Sequence, residues 1–396
     1  MKVYVIGTGM NDESTLTREA AAAIADSEVI IGAERMTSPY LSSGKTVLTT
    51  YKPAEIADYL NCSTASSAAV LLSGDTGFFS AAKRLLPLLE DHDVKTLCGI
   101  SSAAYLCSLT GHSYEDMRFI SLHGRSANIA INVRMNRYCF FLLGGEMTVG
   151  ELCSRLCSYN LGGVRIFIGE DMGSDSEKIT ECIASDFTSY ENVSLCSLIV
   201  ENPDCIKFIP SSMSDSAFIR GNVPMTKAIV RGSAVSSLEI ERDSVCWDIG
   251  CGTGSVSVEM AYRCPAGTVY AFDKSAEAVE LTKQNSMSHS CDNITVREGV
   301  CPDILENAPA PDKVFIGGSS GNMLNIFRCA TNKGSSPDIA VTAVSLETLE
   351  QACRCFEAFF YIYTVTQIAV TDTRKVGNHT MLTAQNPVFL IRGRKS

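Results

Sequence analysis

Short apolar runs alternate with amphipathic stretches along the whole chain. Lys2–Ile6 (KVYVI) predicts a strand, Thr15–Ser27 an Ala/Leu-rich helix and Glu28–Ile31 a second strand. Ala68–Leu72 reads as a third strand, followed by a helix over Ala81–Leu89 and a strand tip at Thr96–Ser102. Arg137–Leu143 and Gly163–Ile168 read as strands around a helix near Val149–Ser158, and Ser194–Val200 as the last strand of this half. Strand alternating with helix is the pattern of a parallel sheet with helices on its faces, hence an α/β fold. Glu201–Pro224 then mixes Pro, Ser, Asn and Asp with short apolar patches, which is linker composition. The boundary falls near Lys207–Ser212 and predicts domains over 1–206 and 207–396.

The second half repeats the alternation. A helix over Thr226–Ser236 precedes strand Val245–Ile249, and the sequence continues GCGTG-SVSVEMA, a glycine turn opening a helix. Thr268–Asp273 predicts the next strand, then helix Ala276–Ser286 and strands Ile294–Glu298, Lys313–Ile316 and Ile339–Ala343. A helix over Ser345–Phe356, a long strand Tyr361–Thr371 and a closing strand Met381–Ile391 complete the pattern. Glycine turns also follow the first strand (Gly7–Asp12) and the third (Ser73–Phe79).

A turn of Gly250, Gly252 and Gly254 lets a ligand lie against bare backbone and meets a helix N-terminus, where free N–H groups favour anionic groups. A dinucleotide site places its third glycine one position later, which here is Ser255. Asp273, at the tip of the following strand, is placed to accept hydrogen bonds from two ribose hydroxyls. An ordinary strand-to-helix turn and a solvated strand-end carboxylate remain the plain alternatives.

With 396 residues, two or three domains are expected, and 45% hydrophobic content is normal for chains that bury real cores. A net charge of −11 argues against a nucleic-acid partner. Seventeen cysteines are scattered without a C-x-x-C pair, the closest being Cys153/Cys157 and Cys353/Cys355. That spacing predicts reduced thiols in a cytoplasmic protein, and no metal site. The chain enters its first strand without a targeting segment, and no apolar run is long enough to span a bilayer, so no membrane partner is expected.

GTGMND, LLSGDTGFFSAAKRL and GISSAAYL, in that order, resemble the tetrapyrrole methylase family. SLHGR (Ser121–Arg125) and FFLLGGE (Phe140–Glu146) resemble its precorrin-6Y C5-methylating branch. The resemblance implies two α/β lobes with S-adenosylmethionine in the cleft between them. It places cofactor contacts at Met10, Asp75, Phe78, Ser101, Ser102 and Leu143. A substrate rich in carboxylates needs cations, for which Arg35, His123 and Arg125 are candidates. Two family prolines are replaced, by Met10 and Thr76, and their loss is expected to loosen both loops.

The second half is similar to the decarboxylating precorrin-6Y C15-methyltransferases. VPMTKAIVR, WDIGCGTGSVSVE, VFIGGSSG, TAVSLETL and TMLTAQNPVF stand in family order. The resemblance implies a Rossmann-like class I methyltransferase domain. It assigns a second S-adenosylmethionine site to Thr226, Asp248, Gly250, Cys251, Gly252, Thr253, Gly254, Asp273 and the backbone at Cys301. Gly317 and Gly318 would shape the macrocycle cleft, Lys227 and Arg231 would meet its carboxylates, and His379 is a candidate proton donor for decarboxylation. Glu347 would cap its helix or touch substrate.

Together the two resemblances imply methylation of a reduced tetrapyrrole at C5 and C15, with loss of the ring-C acetate carboxyl, in cobalamin synthesis. A homo-oligomer is implied as well. Methyl transfer to an electron-rich meso carbon needs positioning and water exclusion more than base catalysis, and no catalytic triad is found in the sequence. The competing readings are a nicotinamide-dependent oxidoreductase built on the glycine turn and a fusion whose first half is inactive. A nucleic-acid methyltransferase stands further off, because an Asn/Asp-Pro-Pro-aromatic motif is missing after the fourth strand of the second half.

Overall fold

The computed structural model describes residues 1–10, 13–124, 126–144, 147–191 and 196–395. The chain divides into two compact units, one of residues 1–126, 137–152 and 164–202, the other of 127–136, 153–163 and 203–396. The main change of unit falls between residues 202 and 203. Two short segments of the first half are grouped with the second unit.

The first unit holds two five-stranded sheets. In one, β1 (Lys2–Gly7), β2 (Val29–Gly32), β3 (Thr46–Thr49), β4 (Ser67–Leu72) and β5 (Asp93–Leu97) are all parallel in the order β3-β2-β4-β1-β5. β2 is buried along its whole length and β4 nearly so, as expected of strands covered on both faces. Thr17 caps helix Arg18–Asp26 by accepting the Ala20 N–H, and Ala20, Ala23 and Ile24 form its buried stripe. The helix expected over Ala81–Leu89 is a short α-turn, Ala82–Leu85, followed by a 3₁₀ turn, Leu86–Leu88. Pro87 has no N–H to continue the α-helix.

The second sheet contains β6 (Met117–Ser121), β7 (Tyr138–Leu142), β8 (Arg165–Glu170), β9 (Lys178–Ile183) and β10 (Cys196–Glu201), ordered β6-β7-β10-β8-β9. Only the β6–β7 pair is parallel.

The second unit is built on a seven-stranded sheet. Its strands are β11 (Val245–Ile249), β12 (Thr268–Asp273), β13 (Ile294–Glu298), β14 (Lys313–Ile316), β15 (Asp338–Ala343), β16 (Ile362–Ile368) and β19 (Val388–Arg394). They run in the order β13-β12-β11-β14-β15-β19-β16, with β19 antiparallel to both neighbours. Strand order reverses between β11 and β14, the position where ligands bind in open α/β sheets.

β17 (Thr371–Val376) and β18 (His379–Ala384) form a separate ribbon exposed along both strands. The expected strands Tyr361–Thr371 and Met381–Ile391 are thereby corrected. Gly377 turns the ribbon with positive φ, and Pro387 separates β18 from β19.

Helix Ser255–Arg263 is buried on every side except at Arg263, because it packs against helices Ala228–Ser237 and Ala276–Ser288. Segments 127–136 and 153–163 are fixed in the second unit by Asp292, whose side chain is fully buried. It accepts the Ile129 and Ile131 N–H groups at 2.7 and 3.0 Å and pairs with Arg155 Nε at 3.1 Å. Asn128 Nδ2 adds hydrogen bonds to the Pro265 and Gly267 carbonyls. No helix among the described residues is long and apolar enough to cross a membrane.

Asp292→Ala leaves two interior N–H groups without their acceptor and should cost roughly 3 kcal/mol in urea unfolding. A loss under about 1 kcal/mol would show that these segments are held by other contacts.

Candidate active sites

In the first unit the ends of β1, β4 and β5 meet backbone to backbone. A Cβ on Gly99 would lie 2.2 Å from the Gly74 carbonyl oxygen, and one on Gly7 would lie 2.7 Å from the same atom. Gly9 and Gly74 exchange N–H···O bonds of 3.1 and 3.0 Å. The Asp75 carboxylate fastens this junction, accepting the Gly77 N–H at 2.9 Å and the Gly99 N–H at 3.0 Å. Each oxygen keeps a further lone pair for a ligand.

Above this junction opens a cavity of about 450 Å³ lined by Met10, Arg35, Asp75, Phe78, Ser102 and His123, among others. Six of the expected positions are thus brought together. Ser101 instead spends its hydroxyl capping helix Ser102–Thr110, accepting the Ala104 N–H at 3.1 Å. That cap presents the positive end of the helix dipole beside Ser102.

Leu143 is buried at 1% exposure, and it is Leu142 that lines the cavity. Successive side chains on an extended chain point to opposite faces, so a one-residue phase error exchanges them. Arg125 lies outside the described residues, as do Asn11, Asp12, Gly145 and Glu146 of the quoted motifs. Arg84 and Tyr51 also line the cavity. Arg84 stands inside the quoted LLSGDTGFFSAAKRL stretch, while nothing near Tyr51 in the sequence marks it.

The two missing prolines are compensated. The Met10 N–H, which proline would lack, donates to Thr15 Oγ1 at 3.0 Å. The Thr76 hydroxyl donates to the Leu97 carbonyl at 3.4 Å. The loosening expected from their loss is therefore opposed by new hydrogen bonds.

In the second unit Gly250, Gly252 and Gly254 have φ of +74°, +56° and +75°. A Cβ at Gly250 would lie 2.8 Å from the Gly318 N and O atoms, and one at Gly252 would lie 2.7 Å from the Pro224 carbonyl. Asp273 Oδ2 accepts the Gly252 N–H and Oδ1 accepts the Ser275 N–H, both at 3.0 Å, so the expected ribose ligand also shapes the turn.

Asp248 is fully buried. Its Oδ2 accepts the Ser257 hydroxyl, and its Oδ1 is without a hydrogen-bond partner. Burial pushes its carboxyl up to about 7, with the nearby Asp273 charge adding to the rise and the Ser257 hydrogen bond opposing it. Thr253 Oγ1 is likewise buried and unpartnered. Cys251 is buried against Thr282, and burial drives its thiol well above the ordinary range. Cys301 is pushed up to about 12, mainly by burial, and its carbonyl accepts from Asn322. Both thiols are protonated packing groups at neutral pH.

Gly317 and Gly318 line a cavity of about 630 Å³ at the ends of β14 and β15, together with Glu347, Gln351 and Arg354. Ser345 caps helix Leu346–Ala358, and Glu347 stands in its first turn. Its own N–H and the Ser345 hydroxyl hold the Glu347 carboxyl below its ordinary range. Lys227 is half-exposed, 3.5 Å from Asp215.

Two expectations are corrected here. Arg231 cannot meet substrate carboxylates, because it is 0% exposed and its guanidinium is consumed by Glu259, Asp215 and the Thr226 and Met213 carbonyls. His379 pairs with Val376 on the exposed ribbon and does not line the 630 Å³ cavity. Among the described residues, no cluster of three or more His, Cys, Asp or Glu is arranged to hold a metal.

Residues 2–187 match the Tetrapyrrole (Corrin/Porphyrin) Methylases, and residues 217–395 match the Precorrin methyltransferase domain. The chain is 39% identical over 180 residues to a probable cobalt-precorrin-6B C(15)-methyltransferase (decarboxylating) of Pyrobaculum calidifontis, covering 45% of this chain and 92% of that protein. It is 26% identical over 328 residues to a precorrin-6Y C(5,15)-methyltransferase [decarboxylating] of Sinorhizobium sp, covering 79% of this chain and 78% of the other. A crystal structure of precorrin-6y C5,15-methyltransferase from Geobacter metallireducens GS-15 is 31% identical, with TM-score 0.45, over 47% of this chain and 100% of that one.

Folding favours the protonated form of Asp248, since its carboxyl rises to about 7 in the native state. The stability it contributes is complete below the ordinary aspartate range and is lost as pH climbs to about 7. Asp248→Asn should remove that slope, worth up to roughly 4 kcal/mol, from urea unfolding between pH 4 and 8. Parallel pH profiles for the two proteins would contradict the assignment. Gly99→Ala, which forces a Cβ into the Gly74 carbonyl, should lower first-unit stability by about 2 kcal/mol, read as an earlier denaturation midpoint.

Proposed function

The chain belongs to the precorrin methyltransferase family, and from that premise we propose that it methylates a precorrin-6Y or cobalt-precorrin-6B substrate at C5 and C15 and decarboxylates its ring-C acetate. One observation carries this reading. A tetrapyrrole methylase half and a precorrin methyltransferase half lie on one chain, and the Sinorhizobium relative matches 79% of this chain. The reading assigns C5 chemistry to residues 1–206 and C15 methylation with decarboxylation to 207–396.

S-adenosylmethionine, when bound, supplies the methyl group as an electrophilic carbon on a sulfonium. Both units offer what such a molecule needs. In the second, three glycines leave bare backbone at the start of a nine-residue helix, and Thr253 Oγ1 and Asp248 Oδ1 are buried without partners beside it. There Asp273 would orient the ribose hydroxyls, while Thr226 and the backbone at Cys301 would border the adenosyl group.

In the first unit, Met10 and Phe78 would pack on the adenosyl group while Asp75 and Ser102 meet its polar parts. Arg35, Arg84 and His123 stand on the same cavity and would hold carboxylates of the macrocycle. Lys227 would meet carboxylates in the second unit, where Gly317 and Gly318 would shape the cleft for the macrocycle. The chain's contribution to methyl transfer is to align the two reactants and exclude water. Its contribution to decarboxylation is to hold a polyanion whose own conjugated ring takes up the electron pair.

Incubation with the cobalt form of precorrin-6B and S-adenosylmethionine should yield, by mass spectrometry, two methyl gains and one carbon dioxide loss. Gly252→Arg, whose side chain collides with the Pro224 carbonyl, should abolish the carbon dioxide loss and leave one methylation. A variant that still decarboxylates would overturn this division of labour.

A further inference from the structure

The second unit buries a charged pair that the reaction does not use. Arg231 is 0% exposed and Glu259 is 3% exposed, and Arg231 Nε meets Glu259 Oε1 at 2.6 Å. A buried ion pair contributes little net stability compared with apolar residues of the same size, so its presence calls for another reason.

Its connections supply one. The same Glu259 oxygen accepts the Ser212 hydroxyl and the Met213 N–H, both at 2.8 Å. Arg231 Nη2 donates to the Met213 carbonyl, and Nη1 donates to Asp215 Oδ1 at 3.2 Å and to the Thr226 carbonyl at 2.6 Å. The guanidinium lies 4.8 Å from the centre of the Phe218 ring. Glu259 belongs to helix Ser255–Arg263, which starts at the glycine turn. Three separate stretches, 212–215, 226 and the turn's own helix, are therefore tied to one ion pair.

The geometry points to a positioning role. The Pro224 carbonyl approaches the turn so closely that a Cβ on Gly252 would sit 2.7 Å from it. Thr226 follows two residues later, and its carbonyl is fixed by Arg231. We propose that Arg231, anchored by Glu259, is a positioning residue that clamps the Pro224–Thr226 segment onto the glycine turn and thereby sets the affinity of that turn for its adenosyl ligand. The proposal rests on the reading of this turn as the S-adenosylmethionine site of the second half.

Removing Arg231 alone would strand Glu259 as an uncompensated buried charge, so loss of binding could reflect unfolding. The informative protein is the full chain carrying Arg231→Met and Glu259→Met together, measured beside Arg231→Lys. The double variant removes both charges and keeps the volume. Arg231→Lys keeps the charge but cannot reach all four acceptors.

Three readouts apply to both: S-adenosylhomocysteine affinity, amide hydrogen exchange over residues 224–228, and kinetics of carbon dioxide release. The proposal expects affinity at the second-half turn to fall tenfold or more. It expects exchange at 224–228 to accelerate, and KM for S-adenosylmethionine to rise with kcat changed less than about threefold. Methylation by the first half stays at the wild-type rate. Wild-type affinity with unchanged exchange at 224–228 in either variant overturns it. Should Gly252→Arg leave S-adenosylhomocysteine binding untouched, the reading of the turn is what fails, and the exchange rates alone decide whether Arg231 clamps the segment.

Discussion

Backbone lies directly against backbone at the carboxyl ends of the parallel strands in both units. Gly7, Gly74 and Gly99 meet in the first, and Gly250 and Gly318 in the second, at separations that a single Cβ would violate. The chain reverses at these points without side chains in the way, and most of the N–H groups at the two junctions are bonded to neighbouring backbone or to an aspartate. In each unit one aspartate secures the arrangement by accepting two backbone N–H groups, Asp75 in the first and Asp273 in the second. The pockets follow from that constraint.

The interior charges of the second unit serve the same end. Asp248 is held beneath the turn at the cost of a raised carboxyl pKa, and only one of its oxygens finds a partner. Arg231 and Glu259 fix the segment beside the turn, and Asp292 fixes two segments elsewhere in the unit. Asp292 and Arg231 reach main-chain atoms directly, whereas Asp248 is bonded to the Ser257 hydroxyl. Such networks specify where loops lie more than they add to stability.

Much of this was legible from residue patterning. Strand–helix alternation and the glycine spacing located the parallel sheets, and five ordered motifs located the second-half turn. What failed had physical causes. The split of the last strands depends on Gly377, which turns the ribbon, and on Pro387, which stands just before the apolar run of the final strand. Leu142 and Leu143 differ only in strand phase. Arg231 reads as a cation for substrate carboxylates because its partner Glu259 lies 28 positions away, and nothing local announces a buried pair. His379 carried chemical promise by residue type, but its ribbon is exposed on both strands and His379 does not line the 630 Å³ cavity. The losses of proline at Met10 and Thr76 were visible, whereas the hydrogen bonds that offset them were not.

The central proposal is that each of the two units binds an adenosyl sulfonium donor. Isothermal titration of the full chain with S-adenosylhomocysteine tests it most directly. Two molecules should bind per chain. A stoichiometry of one would confine the chemistry to a single unit, and none at all would contradict the claim outright.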